Sequence, residues 1–481
     1  MSCRDKCGVF LACDLSGNQI ALELYWGIIS QNHRGHHSHG FLTFDGKIHS
    51  YHGLGLVPSL SRFVSEGLLD ELRGNRGIAH VRYATSGSED PETLLREAQP
   101  YQLGEKIAVA YNGNLVNAYK LKAECGASCE PESMGKKILE KLDRGLPSGV
   151  ENFINSAEGA YSVVGMTGNG EVFAFRDPMG IRPLCWGRRG DFFAVSSETV
   201  GLDINGIAFQ AEVQPGELLI WGEGGLERVR VAESTGKALC AFEFAYVARP
   251  DSILDGSRPV YKVREEFGRN LAREYPEEVK KVDVVISIPE TGDDAAFGFH
   301  EETGIHWERA VRRHRFITDR AFISSPNQRD LILSKKINVL RELKGKKVAV
   351  IDDSIVRGDT SRKIVRQIRE AGATEIYLFI TFPKIIAPCF YGIDMATFGE
   401  LAAAKYNEEE IARMIGADKV CYQSLEGYIR ATGLRKEELC LGCLTCQYPT
   451  PLAQRMADLA RSRFLAGERE RGRIYETVLD F

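Results

Sequence analysis

The sequence has no apolar run of the about 20 residues a helix needs to cross a bilayer, so no membrane partner is expected. It has no excess of basic charge either. Its 61 Lys and Arg stand against 66 Asp and Glu, a formal net charge of −5, which removes nucleic acid as a default partner. There is no internal repeat, low-complexity tract or coiled-coil run, which excludes solenoids and long disordered arms. The opening MSCRDK is short and charged and lacks the apolar stretch of a secretory signal, so a cytoplasmic protein is expected. What remains is an ordinary globular composition, 43% hydrophobic and 26% charged over 481 residues. That length suits roughly two to four domains, each able to bury its own core.

The chain changes character near its middle. Up to about residue 235, short β-like stretches broken by Gly-Asn and Asn-Gly turns dominate: 106–117, 160–177 and 191–197, with helical segments at 20–31 and 133–143. This predicts an α+β, layered sandwich. Beyond it, VDVVISIPETG (282–292) and KKVAVIDDSIVRGDT (346–360) are apolar runs that end in small and acidic residues. The second is followed by an amphipathic helix (361–373) and another apolar run (375–382). Buried strand, loop, helix, buried strand predicts a parallel α/β sheet, with ligands beyond the carboxyl ends of its strands at 289–292 and 353–360. The boundary is expected at 230–245.

The loop in VAVIDDSIVRGDTSR reads as a sugar-phosphate site. Gly358 at the start of a helix frees backbone N–H groups for a phosphate, and Thr360 and Ser361 add hydroxyl donors. Asp352 and Asp353 repel phosphate but suit a divalent cation or sugar hydroxyls. At the other end of the chain, Cys7 precedes Gly-Val-Phe. An N-terminal cysteine carries nucleophile and base on one residue. Its α-amino group, which ordinarily titrates at about 7.7–8.0, can take the thiol proton once the preceding peptide bond is cut. Asn112-Gly113 offers oxyanion donors, and Arg82 is a fork suited to a carboxylate.

These motifs carry a resemblance. CGVF (7–10), NHRG (32–35), HVRYATSG (80–87), EAQPY (97–101), NGNLVN (112–117), EGAYS (158–162), RDPMGIRP (176–183) and SSE (196–198) are similar, in order, to the glutamine amidotransferase domain of N-terminal-nucleophile hydrolases. IDDSIVRG (351–358) resembles the phosphoribosyl pyrophosphate signature of type I phosphoribosyltransferases. With YVARPDS (246–252) and PCFYGID (388–394), the whole resembles the glutamine phosphoribosylpyrophosphate amidotransferase family. The resemblance implies an αββα sandwich over 7–240 after a propeptide 1–6, then a phosphoribosyltransferase fold over 241–481. It implies glutamine-dependent transfer of ammonia to phosphoribosyl pyrophosphate, giving 5-phosphoribosylamine, glutamate and pyrophosphate, the first step of purine synthesis. Cys7 would be the nucleophile, Asn112 and Gly113 the oxyanion hole, Arg82 the clamp for the glutamine carboxylate and Glu130 the candidate for its amino group. Glu290 and Thr291 of PETG, Lys336 in a closing loop (312–336), and Asp352, Asp353, Ser354, Arg357, Gly358, Thr360 and Ser361 would bind phosphoribosyl pyrophosphate, with Mg2+ at Asp352 and Asp353. The family also suggests a homotetramer, and purine nucleotides as inhibitors.

The sequence departs from the family in places. RGHHSHGF (34–41) carries three histidines, read as altered loop packing with metal ligation as the alternative. Tyr111 stands where the oxyanion motif usually begins with His, and Glu130 where Asp is expected. SSETVG lacks the usual small polar residues, Glu290 replaces a more usual Asp, and FITDRAFI (316–323) carries an extra residue.

Of the twelve cysteines, Cys440, Cys443 and Cys446 form a C-x₂-C-x₂-C run. In a reducing compartment disulfides are not expected. On chemistry alone a four-cysteine site suits zinc and an iron–sulfur cluster equally. One branch of the family holds a [4Fe–4S] cluster through cysteines in contexts matched by Cys240, Cys389, Cys440 and Cys443, and it too has a cleaved propeptide. The resemblance therefore implies iron–sulfur, with Cys446 spare. Cys13, Cys125, Cys129, Cys185 and Cys421 read as core or surface thiols. Two other readings stand beside the main one: a divergent paralogue with a silent glutaminase that uses free ammonia, and a regulatory protein sensing nucleotides or iron–sulfur status. The paired acids of IDDSIVRGDTS argue against the latter.

Overall fold

The computed structural model describes residues 7–83, 90–222, 224–234, 236–256, 258–314, 337–470 and 472–474. In the first half, period-two alternation builds two antiparallel sheets. One has the strand order Ala208–Glu212, Cys185–Arg189, Phe192–Ser196, Gly8–Asp14, Arg76–Arg82, Ser38–Phe44, Ile48–Leu54. The other runs Gly225–Arg230, Glu217–Gly222, Val172–Arg176, Gly159–Thr167, Ile107–Leu115, Tyr101–Leu103. Val9, Leu11 and Val195 from one sheet meet Ala108, Ala110, Val164 and Trp221 from the other in a single buried layer. The opposite faces carry helices. Leu24 and Ile28 of Ala21–Ile29 pack on one sheet, and Met134, Ile138, Val150 and Phe153 of Glu130–Leu139 and Leu146–Ser156 pack on the other. Each fully buried Val, Leu or Phe contributes about 1.5–3 kcal/mol. The four layers are the αββα sandwich the sequence led us to expect.

The second half contains a parallel sheet, Val284–Ser287, Lys347–Asp352, Glu375–Ile380, Lys419–Tyr422. Its strands are buried on both faces, which is why they read as continuous apolar runs. Val348 and Val350 face Ile364 and Ile368 of the helix Asp359–Glu370, while Ala349 and Ile351 face Ala296 and Phe299 of the helix Asp293–Thr303. The loops after the first two strands lie at the carboxyl edge, where both candidate ligand loops were expected.

Between the halves lies a third core. Val116, Ala160 and Ile181 join Phe242, Phe244, Phe267, Tyr391 and Tyr428 there. Leu239–Cys240 pairs in parallel with Leu439–Cys440 at this junction. Cys240, the last residue of the sequence-defined first domain, thus packs with the second. Among the described residues, no helix is long and apolar enough to cross a membrane.

Candidate active sites

Cys7 immediately precedes the strand Gly8–Asp14, and pairing of Gly8 with Val81 brings it beside Arg82. Its thiol donates to the Tyr83 carbonyl at 3.8 Å. Burial pushes the Cys7 thiol up, against the pull of the Tyr83 hydrogen bond and of the Arg82, Arg182 and Arg34 charges. With residues 1–6 attached, the sulfur is a protonated, weak nucleophile. Among the described residues, two buried donors have no hydrogen-bond partner: one terminal nitrogen of Arg82, whose charge acts on Cys7, and Asn112 Nδ2, on the strand whose alternate residues Ala108 and Ala110 meet the Cys7 strand. The other terminal nitrogen of Arg82 pairs with Glu97 at 2.7 Å. Buried orphan donors are rare in proteins and signal a missing acceptor. Next to Asn112, Gly113 has φ 150, and a Cβ there would strike the Ala160 carbonyl, so only glycine fits.

The backbone of Cys7 is held by a buried charge network that local sequence patterns did not reveal. Arg34 donates Nε to the Cys7 carbonyl at 3.2 Å, one terminal nitrogen to Glu198 and Glu243 (3.1 Å), and the other to Glu243 at 2.8 Å. Arg182 donates to Glu243 at 3.1 Å and, through two nitrogens, to the Tyr391 carbonyl at 3.0 and 2.7 Å. All four charged side chains are essentially inaccessible. Burial opposes ionisation of Glu198, but His33 and Arg34 outweigh it and hold its carboxyl well below the usual range. The network crosses the junction, since Glu243 begins the π-helical turn Glu243–Val247 and Tyr391 belongs to PCFYGID. Arg34, Arg182 and Glu198 lie in the motifs NHRG, RDPMGIRP and SSE, and Glu243 shows as an acid inside the apolar run CAFEFAYVA, but nothing local pairs them.

Glu130, the first residue of its helix, accepts a hydrogen bond from the Tyr111 hydroxyl at 2.5 Å. The histidine-rich stretch is occupied by ring packing. His37 stacks on Tyr83 at 4.4 Å, His36 meets both rings at 4.9 Å, and His39 bonds the Gly55 carbonyl at 3.1 Å. Burial pulls His80 down to about 3, so it stays neutral with Nε2 donating to the Tyr111 carbonyl.

In the second half, Asp352 ends its strand and Asp353 begins the loop. The Asp353 carboxylate accepts from Thr291 and from Ser354 (2.6 Å), so the two loops meet on one acid. Burial and the neighbouring Asp353 charge push Asp352 well above the carboxylate range, a cost that hydroxyl donors or a cation would relieve. Gly358 takes φ 85 as the cap of Asp359–Glu370, which puts Thr360 and Ser361 in the first helical turn. The bond between Pro289 and Glu290 is cis. Arg357 is paired with Glu400, so its guanidinium is committed to a protein carboxylate. Lys336, FITDRAFI and the propeptide lie outside the described residues.

Cys240, Cys389, Cys440 and Cys443 come together at the junction, free of disulfides. Burial pushes Cys240 up to about 11 and Cys440 and Cys443 well above the usual range, and the other thiols of the set add to each shift. Among the described residues, no group of three or more His, Cys, Asp or Glu is disposed to hold a metal ion. The four thiols are nonetheless close enough to shift one another's titration. Cys446, also buried, has Arg461 and Asp458 as its charged neighbours.

An αββα sandwich opening next to a cysteine, joined to a parallel sheet with an acid-pair loop, defines an N-terminal-nucleophile amidotransferase domain fused to a type I phosphoribosyltransferase fold. A glutamine amidotransferase domain family matches residues 89–203. Amidophosphoribosyltransferase of Methanothermobacter thermautotrophicus is 38% identical over 96% of this chain and 98% of its own. That of Archaeoglobus fulgidus is 39% identical over 92% and 98%. The solved glutamine phosphoribosylpyrophosphate amidotransferase of Bacillus subtilis, complexed with ADP and GMP, is 35% identical with a TM-score of 0.83, covering 93% of this chain and 98% of that one. The chain belongs to the amidophosphoribosyltransferase family.

Proposed function

We propose that this chain forms 5-phosphoribosylamine from phosphoribosyl pyrophosphate, with glutamine as the ammonia donor. The observation that supports the glutamine half is the pair of buried donors on Asn112 and Arg82 that have no partner among the described residues. Once residues 1–6 are removed, the Cys7 α-amino group takes the thiol proton and the sulfur attacks the glutamine side-chain amide carbon. Asn112 Nδ2 and the Gly113 N–H hold the oxyanion, Arg82 the α-carboxylate and Glu130 the α-amino group. The C–N bond breaks, the nitrogen leaves as ammonia with the transferred proton, and water cleaves the remaining thioester to give glutamate. In the second site, ammonia forms a bond to ribose C1 as pyrophosphate departs. Gly358, Thr360 and Ser361 surround the 5′-phosphate, Asp352 and Asp353 take the ribose hydroxyls, and Ser354 orients Asp353. Glu290, Thr291 and Lys336 belong to the pyrophosphate side. Arg357, which also pairs with Glu400, belongs to the phosphoribosyl pyrophosphate site. Mg2+ would be held at Asp352 and Asp353, where it would offset the pyrophosphate charge.

The first test is the intact mass of protein purified without oxygen and denatured. Loss of residues 1–6, together with glutaminase activity stimulated by phosphoribosyl pyrophosphate, is the expected result. Retention of Met1 or Ser2 would leave Cys7 without a base and favour the ammonia-using alternative.

A [4Fe–4S] cluster is proposed at Cys240, Cys389, Cys440 and Cys443, serving a structural or oxygen-sensing role away from both reactions. Three buried thiols and the half-buried Cys443, near enough to shift one another, support it. About four iron and four acid-labile sulfide per chain are expected, falling in Cys389→Ser. Stoichiometric zinc instead would decide for the competing metal. Assembly as a homotetramer in the cytoplasm and inhibition by purine nucleotides complete the reading. The last is supported by the ADP and GMP in the Bacillus subtilis structure.

A further inference from the structure

Two departures from the family pattern meet in space. Along Ile107–Leu115, alternation sends Asn112 to one face and Tyr111 to the other, where it packs with Met134 and Ile138 of the helix Glu130–Leu139. There the Tyr111 hydroxyl donates to Glu130 Oε2 at 2.5 Å, and the Leu115 backbone N–H donates to the same oxygen at 3.1 Å. Tyr111 is 7% exposed. Burial and the Glu130 charge push its hydroxyl well above the ordinary range, so it remains a donor, and the Cys7 thiol and the Arg82 guanidinium are among its neighbours. A glutamate carries one more rotatable bond than an aspartate, and its carboxylate wanders further unless it is tied down. Two donors on one oxygen tie it down, and its place in the first helical turn favours the anion.

We infer that Tyr111 is a positioning residue for substrate recognition, its hydroxyl holding the Glu130 carboxylate where the α-ammonium of glutamine is received. Positions 111 and 130 then act as one specificity unit, each substitution compensating the other. The inference rests on the reading of Glu130 given above, and its test separates the two.

The test compares glutamine with 4-carbamoylbutanoate, the same molecule without its amino group, as substrate and as competitive inhibitor of one enzyme preparation. The ratio of the two affinities does not depend on the fraction of folded enzyme. In Tyr111→Phe, the preference for glutamine should fall about tenfold, the scale of a hydrogen bond to a charged group. It should fall through KM for glutamine, with the analogue changing less than twofold. Glu130→Gln should behave alike, and the double variant should lose no more than Glu130→Gln alone. Equal weakening of both ligands in Tyr111→Phe would mean a packing role and overturn the inference. So would an unchanged ratio in Tyr111→Phe with a reduced one in Glu130→Gln. An unchanged ratio in Glu130→Gln would remove the reading of Glu130, and the inference with it.

Discussion

Cys7→Ala should reduce glutamine-dependent product formation by about 10⁴-fold or more, the scale at which loss of a nucleophile leaves only the binding and oxyanion contributions. Ammonium supplied at high concentration should restore turnover. In the proposed mechanism the attack on ribose C1 belongs to loops 289–292 and 353–360, in the other half of the chain from Cys7. Cys7→Ala also keeps the strand pairing of Gly8 with Val81, so the sandwich has no reason to open. Measuring both donors on the same variant gives the answer. If ammonia-dependent turnover falls in parallel, the sites are not separable. If glutamine still serves, the nucleophile is elsewhere.

Glu243→Gln should be the most destabilising single change at the junction. Glu243 accepts from Arg34 and Arg182, both inaccessible, so its loss leaves Arg34 with Glu198 and takes from Arg182 the carboxylate it donates to. Breaking a buried pair by removing one partner costs about 3–5 kcal/mol. At about 2–4 °C per kcal/mol for domains of 150–250 residues, Tm should drop by about 10 °C. The double variant with Arg182→Met should regain part of it, because one uncompensated charge goes as well. Glutaminase activity should fall along with Tm, since Arg34 also holds the Cys7 carbonyl. A Tm within about 2 °C of the parent would show that water reaches these groups and that the network does not lock the halves together.

The strand Lys347–Asp352 and the helix Asp359–Glu370 were legible in the sequence because each shows its burial directly, one as an unbroken apolar run and the other as an apolar stripe. The sandwich strands were legible for a similar reason, alternation plus Gly-Asn turns. Individual candidates such as Cys7 and Asn112 could be named from residue type and local context. What local context cannot carry is pairing at a distance. Tyr111 and Glu130 look like two unrelated anomalies 19 residues apart until a strand and a helix put them together. Arg34, Glu198 and Glu243 are separated by up to 209 residues, and although Arg34 and Glu198 fall in quoted motifs, nothing local shows that they meet. Arg357 shows the same limit: its place in the phosphate loop suggested an anion ligand, and its pairing with Glu400 from another segment could not be read locally.

The parallel bridge between Leu239–Cys240 and Leu439–Cys440 has a consequence for how the protein is made. The first of these segments leaves the ribosome before the second exists. At synthesis rates of about 5–20 residues per second, some 200 intervening residues take roughly 10–40 seconds. The sandwich can close on its own strands in that interval, but the apolar strip around Phe242 and Phe244 stays open to solvent until the chain's last quarter arrives. A nascent chain stalled before Phe382, whose ring packs on Phe242, would leave that strip poorly covered, and binding by a chaperone, or aggregation, would be concentrated in that window of synthesis.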